Sequence, residues 1–155
     1  MTASIAEQQQ YDQLCAWSLS RGDAAFVHQL VVDAWAAQHA TADSKPISPV
    51  FALIGLYLHL EHGYTGRQVQ LAHIKVANNR KQWPRLTPPA ERGSLRVEDV
   101  VGAEGDSAQD QAIDRWCASV WDAWKDSQAT IRELVLQELG IEPVGKPLGK
   151  YGQRT

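Results

Sequence analysis

Several absences narrow the field before any motif is read. The two cysteines, Cys15 and Cys117, stand far apart with no C-x-x-C between them, so neither a zinc ribbon nor a dithiol redox motif can be written. No neighbouring His or Lys pattern marks either as a nucleophile, and both are expected to be packed thiols of a reduced, cytoplasmic protein. The opening residues MTASIAEQQQ hold no basic stretch followed by an apolar core, so no signal peptide is expected. The longest apolar run, Val50 to Leu58, is less than half of the roughly 20 residues that cross a bilayer. That run is expected to be core, with no membrane partner. Neither charge dominates: 15 Lys and Arg face 18 Asp and Glu for a net charge of −3, which gives no global pull toward nucleic acid or anionic lipid. Nucleophile–base pairs, phosphate loops and paired acids are missing too, as are internal repeats.

What is present reads as one helical domain. The 155 residues are 44% hydrophobic and 21% charged, ordinary values for a single domain with a real core. Ser4 and Glu7 form an S-x-x-E capping box ahead of a helix whose apolar side is Tyr11, Leu14, Cys15 and Ser18-Leu19. Arg21-Gly22 ends it, and Asp23 is expected to cap a second helix whose stripe is Val27, Leu30, Val31 and Ala34. After a polar loop from Ala40 to Pro46, Ser48 and Pro49 are expected as N-cap and first residue of a third helix running to His62. Its body, VFALIGLYLHL, is apolar all round and must be enclosed by other helices. Gly63 suits a left-handed helix end, and Thr65 to Gln68 is a T-x-x-Q box opening a fourth helix to about Asn78. The two make an antiparallel hairpin.

Prolines and glycines between Trp83 and Gly105 break regular structure, leaving Ser94 to Val101 as a strand or a helical turn. An apolar arc then runs from Asp106 to Leu139, where an unbroken helix would be about 50 Å long. A kink, or a break near Asp126 to Thr130, is expected. The expected fold is therefore all-α, a single compact helical bundle of four to five helices. Residues 1–139 form the domain and 140–155 a flexible tail.

The segments FVHQLVVDAWAAQHA, GLYLHLEHGYTGRQVQLAH, WPRL-TPPAERGSLRVEDV and AIDRWCASVWDAW occur in this order. Together they resemble an uncharacterised bacterial family, domain of unknown function 5946, over most of the chain up to about Leu139. The resemblance implies a small helical protein and supplies no activity. A Cys pair that opens some members is missing here, so no N-terminal metal site is carried over.

All five histidines precede residue 74. His28 and His39 lie on nearly the same side of the second helix but are separated by a rise of roughly 16 Å, too far to share an ion bound at about 2 Å. If helices two to four alternate in direction, His28, His59 and His73 fall at one end of the bundle with heights differing by ~5 Å. Three such imidazoles would suit Zn²⁺, Ni²⁺ or another divalent transition metal, with Asp33 or Glu61 orienting a ligand from behind. The arrangement resembles the three-histidine sites of DinB-like four-helix bundles, without their i, i+4 His pair, and on that analogy the chain would be a metal-dependent hydrolase or transferase. The plainer reading makes them surface or core-edge histidines. It carries more weight, because no H-E-x-x-H or E-x-x-H signature is present.

Trp35, Trp116, Trp121 and Trp124 could line an aromatic pocket, but large aromatics at helical spacing more often fill a core. Arg67 to Arg96 carries +6 and Val97 to Glu138 carries −7, as segments that face each other or form solvated faces of opposite sign. With Trp83 the one interleaved aromatic, the basic segment argues little for nucleic acid. The function expected is that of a cytoplasmic accessory or interaction protein that binds a protein partner or itself, without catalysis of its own.

Overall fold

The computed structural model describes residues 3–144. Seven α-helices follow one another: α1 (Ile5–Ser20), α2 (His28–His39), α3 (Ile47–His62), α4 (Gly66–Asn79), α5 (Val97–Val101), α6 (Asp106–Ala123) and α7 (Gln128–Leu139). The all-α class stands, while the count exceeds the expected four to five. Two things raise it: the undecided stretch before Val101 is a short helix, and the long C-terminal arc is two helices. A 3₁₀ turn at Lys125–Ser127 separates α6 from α7, slightly ahead of the expected break.

Helix α3 is the central element. It touches α2, α4, α6 and α7, and Leu53, Ile54, Leu56 and Leu58 have no exposed surface. A helix with no polar face has no other stable place. Around it pack the buried stripe of α2, Ile113, Trp116 and Val120 of α6, and Ile131 and Val135 of α7. Trp116, Trp121 and Trp124 are all core, and each indole N–H finds an acceptor: Gln38 Oε1 at 2.9 Å, Glu61 Oε2 at 2.9 Å and the Ala37 carbonyl at 3.0 Å. Trp35 instead lies half-buried between Tyr11 and His39 in an aromatic stack, with ring centroids 4.1 and 3.8 Å away.

The helix ends show where local signals hold and where packing overrides them. Gly63 is left-handed (φ 71°) with its N–H on the His59 carbonyl, and the Thr65–Gln68 box is fully formed. At α1, Ser4 caps the Glu7 amide, but the Glu7 carboxylate turns away from the box to Arg96 and His39. Asp23 does not open α2 directly. It caps a turn, taking the Val27 amide at 3.0 Å, and the helix starts at His28 because Phe26 adopts φ 54°. The cause is the arrival of α4: a Cβ on Gly66 would sit 1.9 Å from the Phe26 carbonyl oxygen, and Arg67 donates its amide to the Ala25 carbonyl at 2.8 Å. Helix α3 begins at Ile47 rather than after Ser48, which leaves Pro49 in the first turn, where its missing N–H still costs nothing. Of the pair Ser18-Leu19 expected on the apolar side of α1, Ser18 is buried against His28 and Leu19 is 56% exposed.

One buried side chain ties the irregular segment 80–96, whose Trp83, Leu86 and Leu95 pack on the core, to α2. Gln38, with no exposed surface, donates Nε2 to the Arg92 carbonyl at 2.9 Å and the Leu95 carbonyl at 2.8 Å. Arg92 returns the contact to the Gln38 and Ala40 carbonyls, closing the end of α2. The oppositely charged segments do lie against each other, with α4 packed on α7 and Gly93 and Leu95 on Ser119 of α6, but among the described residues a single salt bridge, Arg80–Glu138 at 3.3 Å, joins them. Arg96 is drawn to Glu7 of α1 instead. Gly140 (φ 69°) ends α7, and of the tail expected to be flexible, residues 145–155 lie outside the described residues.

Candidate functional site

The three histidines expected to share a metal each have a separate partner. His28 Nδ1 pairs with the Ser18 hydroxyl of α1 at 2.8 Å. His59, in the last turn of α3, donates Nδ1–H to the Tyr64 carbonyl at 2.7 Å and Nε2–H to Asp114 of α6 at 2.7 Å. His73 of α4 donates Nε2–H to the Phe51 carbonyl at 2.8 Å. Phe51 precedes His59 by eight residues on α3, so the register of the hairpin sets His73 about 12 Å from the level of His59. Counted from its own helix end each histidine falls at a similar height, and only the register of the hairpin reveals the offset. Among the described residues, no group of three or more His, Cys, Asp or Glu side chains is placed to hold a metal ion. Neither Asp33 nor Glu61 bonds to a histidine. Glu61 is held by both nitrogens of an Arg132 fork, at 3.2 and 2.7 Å, and by the Trp121 indole.

These partners set the charge of each ring. Burial lowers the pKa of His28 and of His73, holding both neutral, although the Phe51 carbonyl opposes the effect at His73. The Asp114 carboxylate raises that of His59 against its burial, consistent with a ring that donates from both nitrogens. A histidine with a raised folded pKa stabilises the fold fully below its unfolded value, near 6.5, and loses that contribution as the pH climbs through the folded value. Asp114→Asn is therefore expected to cost about 0.5–1 kcal/mol below pH 6 and nearly nothing above pH 8. Chemical denaturation of both proteins at the two pH values checks this, and a cost independent of pH would contradict it.

The thiols are packed, as their lack of neighbours suggested. Cys117 is fully buried with Sγ 3.8 Å from the Leu30 carbonyl, and burial raises its pKa. Burial also raises that of Cys15. Both stay protonated, the unreactive form.

The feature least explained by folding is Asp33. It lies on α2 with 3% of its surface exposed, accepts one hydrogen bond, from Gln29 Nε2 at 3.1 Å, and leaves Oδ2 without a partner. Burial pushes its carboxyl well above the usual carboxylate range. Oδ2 fits a notch at Gly55 of α3, where an added Cβ would lie 1.9 Å from it. The same aspartate lines a cleft of about 290 Å³ between α2 and α3, with Gln29, Ser48, Phe51 and, from α4, His73. The His73 ring stacks on Phe51 with centroids 4.9 Å apart. The sequence pattern by itself offers Asp33 only a supporting place behind a metal. The signal available was an acid inside the apolar run LVVDAWAA.

The profile of a family of unknown function, DUF5946, matches residues 6–125. The chain belongs to that family. The DUF5946 match takes in α1 to α6 and stops at the 3₁₀ turn, so α7 lies beyond it. Asp33, Gly55 and His73 all fall within it. No curated protein and no solved structure matches the chain.

Proposed function

We propose that the protein is an accessory interaction module without catalysis of its own, which meets a protein partner through the outer face of α4. The observation that carries this reading is the exposure of Leu71 and Ile74, at 58% and 54%, on one side of that helix. Beside them runs a groove of about 370 Å³ lined by Tyr64, Ala72, Leu139 and Ile141. Arg67 and Lys75 flank the stripe, both exposed and in no salt bridge among the described residues. An apolar stripe with a basic rim suits a partner segment of apolar side chains flanked by acids. The non-catalytic part is supported by the engagement of every histidine in a separate hydrogen bond and by the protonated thiols.

The rival, a metal-dependent hydrolase or transferase built on His28, His59 and His73, would require those rings to leave their partners and cross the offset between them. Elemental analysis of untagged protein separates the two, since a stoichiometric transition metal would favour the rival. The docking face itself is tested by Leu71→Lys with Ile74→Lys. Both side chains are exposed, so stability should change by no more than about 0.5 kcal/mol, while a partner retained by the wild type should be lost. A wild-type dimer by light scattering that the double variant abolishes would identify the partner as a second copy. Retention of all partners by the double variant would reject this face.

A further inference from the structure

We propose that the cleft between α2 and α3 is a binding site for a small molecule carrying a protonated primary amine, with Asp33 as its counter-ion and Phe51 and His73 as its apolar wall. This goes beyond the docking reading and uses a different surface. An enclosed carboxyl held by one long hydrogen bond weakens a fold, because its second oxygen gives up water and gains nothing. Among the described residues the only other buried side-chain polar atom left unpaired is Gln109 Oε1, an uncharged amide. Among the described residues no Lys or Arg pairs with Asp33, and none of them occupies the place of its counter-ion.

The polar groups of the cleft favour a donor-rich ligand. His73 spends its Nε2–H on the Phe51 carbonyl, so its Nδ1 is a bare acceptor. Gln29 spends Nε2 on Asp33 Oδ1, and its Oε1 makes no hydrogen bond among the described residues. With the carboxyl these are three acceptors, and an alkylammonium brings three N–H donors and one positive charge. A divalent metal would need more than one anionic ligand to be neutralised there. The stacked Phe51 and His73 rings offer a face to the ligand's carbon chain and to its charge. Gln29, one turn from Asp33 on the same helix, already places an N–H on Oδ1, the carboxyl oxygen outside the Gly55 notch, and marks where the ammonium would meet the carboxyl.

A bound cation favours the ionised form of Asp33, so a proton that burial holds on the carboxyl is released. The other titratable groups near this carboxyl are His73 of α4, Tyr11 of α1 and Cys117 of α6. Burial keeps His73 neutral and the phenol and thiol protonated, so none of the three supplies that proton near pH 6.

The test is titration calorimetry of the whole chain at pH 6 with n-butylamine and benzylamine, run in buffers of different ionisation enthalpy, with butan-1-ol as the uncharged control. Saturable binding of at least one amine is expected, with net release of protons and binding at least tenfold weaker for butan-1-ol. Asp33→Asn, which keeps the shape of the side chain, should weaken amine binding tenfold or more and end the proton release. Phe51→Leu, on the opposite wall, should weaken benzylamine more than butylamine. The proposal is overturned if neither amine binds saturably at millimolar concentrations, if butan-1-ol binds as tightly, or if the folded Asp33→Asn protein binds amine unchanged. It is equally overturned if Zn²⁺ or Mg²⁺ raises the melting temperature through Asp33 while the amines do not.

Discussion

Gln38→Leu should destabilise the protein by about 3–5 kcal/mol even though leucine nearly matches glutamine in volume. The substitution strands three enclosed groups: the Trp116 indole N–H and the carbonyls of Arg92 and Leu95. Each buried group left without its partner costs about 1–3 kcal/mol, and the carbonyls nearest the surface recover part of this from water. Against a total stability of about 5–15 kcal/mol, that loss is large. For a chain of this size it lowers the melting temperature by roughly 10 °C. The damage should also be local before it is global, because Gln38 is what fixes the irregular chain of residues 80–96 against α2. Hydrogen exchange in that segment should rise by orders of magnitude while the amides of α3 keep their protection. If Gln38 mattered only as filler, the leucine variant would melt within a degree or two of the wild type.

This role could not be read from the sequence, and the reason separates what was legible from what was not. Signals confined to a few neighbouring residues were read well: the Ser4 cap, the Thr65–Gln68 box, the left-handed Gly63 and the all-apolar body of α3. Each is decided by atoms within one or two helical turns. Failures came where a distant segment decides. The α2 start shifted because α4 presses its first turn on the Phe26 carbonyl. Glu7 left its capping box for Arg96, 89 residues away. His73 stands off the level of His59 because of the register of one helix pair, since a shift of a few residues between α3 and α4 moves it by several ångströms along its neighbour. Asp33 shows an intermediate case. An acid in an apolar run, and a glycine inside the most apolar helix, are both visible in the sequence, but nothing local says that they oppose each other.

That opposition gives the sharpest coupling in the structure. Gly55→Ala should destabilise the protein by about 1–3 kcal/mol, although alanine is favoured over glycine in a helix by about 1 kcal/mol. The new methyl would lie 1.9 Å from Asp33 Oδ2 and 2.8 Å from its Cγ, and Asp33 is enclosed with nowhere to retreat. The Val69 methyl, at 3.1 Å, is tight but can give by a few tenths of an ångström. The clash therefore belongs almost wholly to one side chain. In an Asp33→Ala background the offending atoms are gone, and the added methyl partly fills the space they leave. There Gly55→Ala should be neutral or stabilising. A double-mutant cycle by urea denaturation should give an interaction energy of about 1–3 kcal/mol, in the range expected for residues in direct contact. Additive effects of the two substitutions would mean that Asp33 turns freely out of the notch. The carboxyl would then not be fixed between α2 and α3, and the pre-formed counter-ion on which amine binding depends would be lost with it.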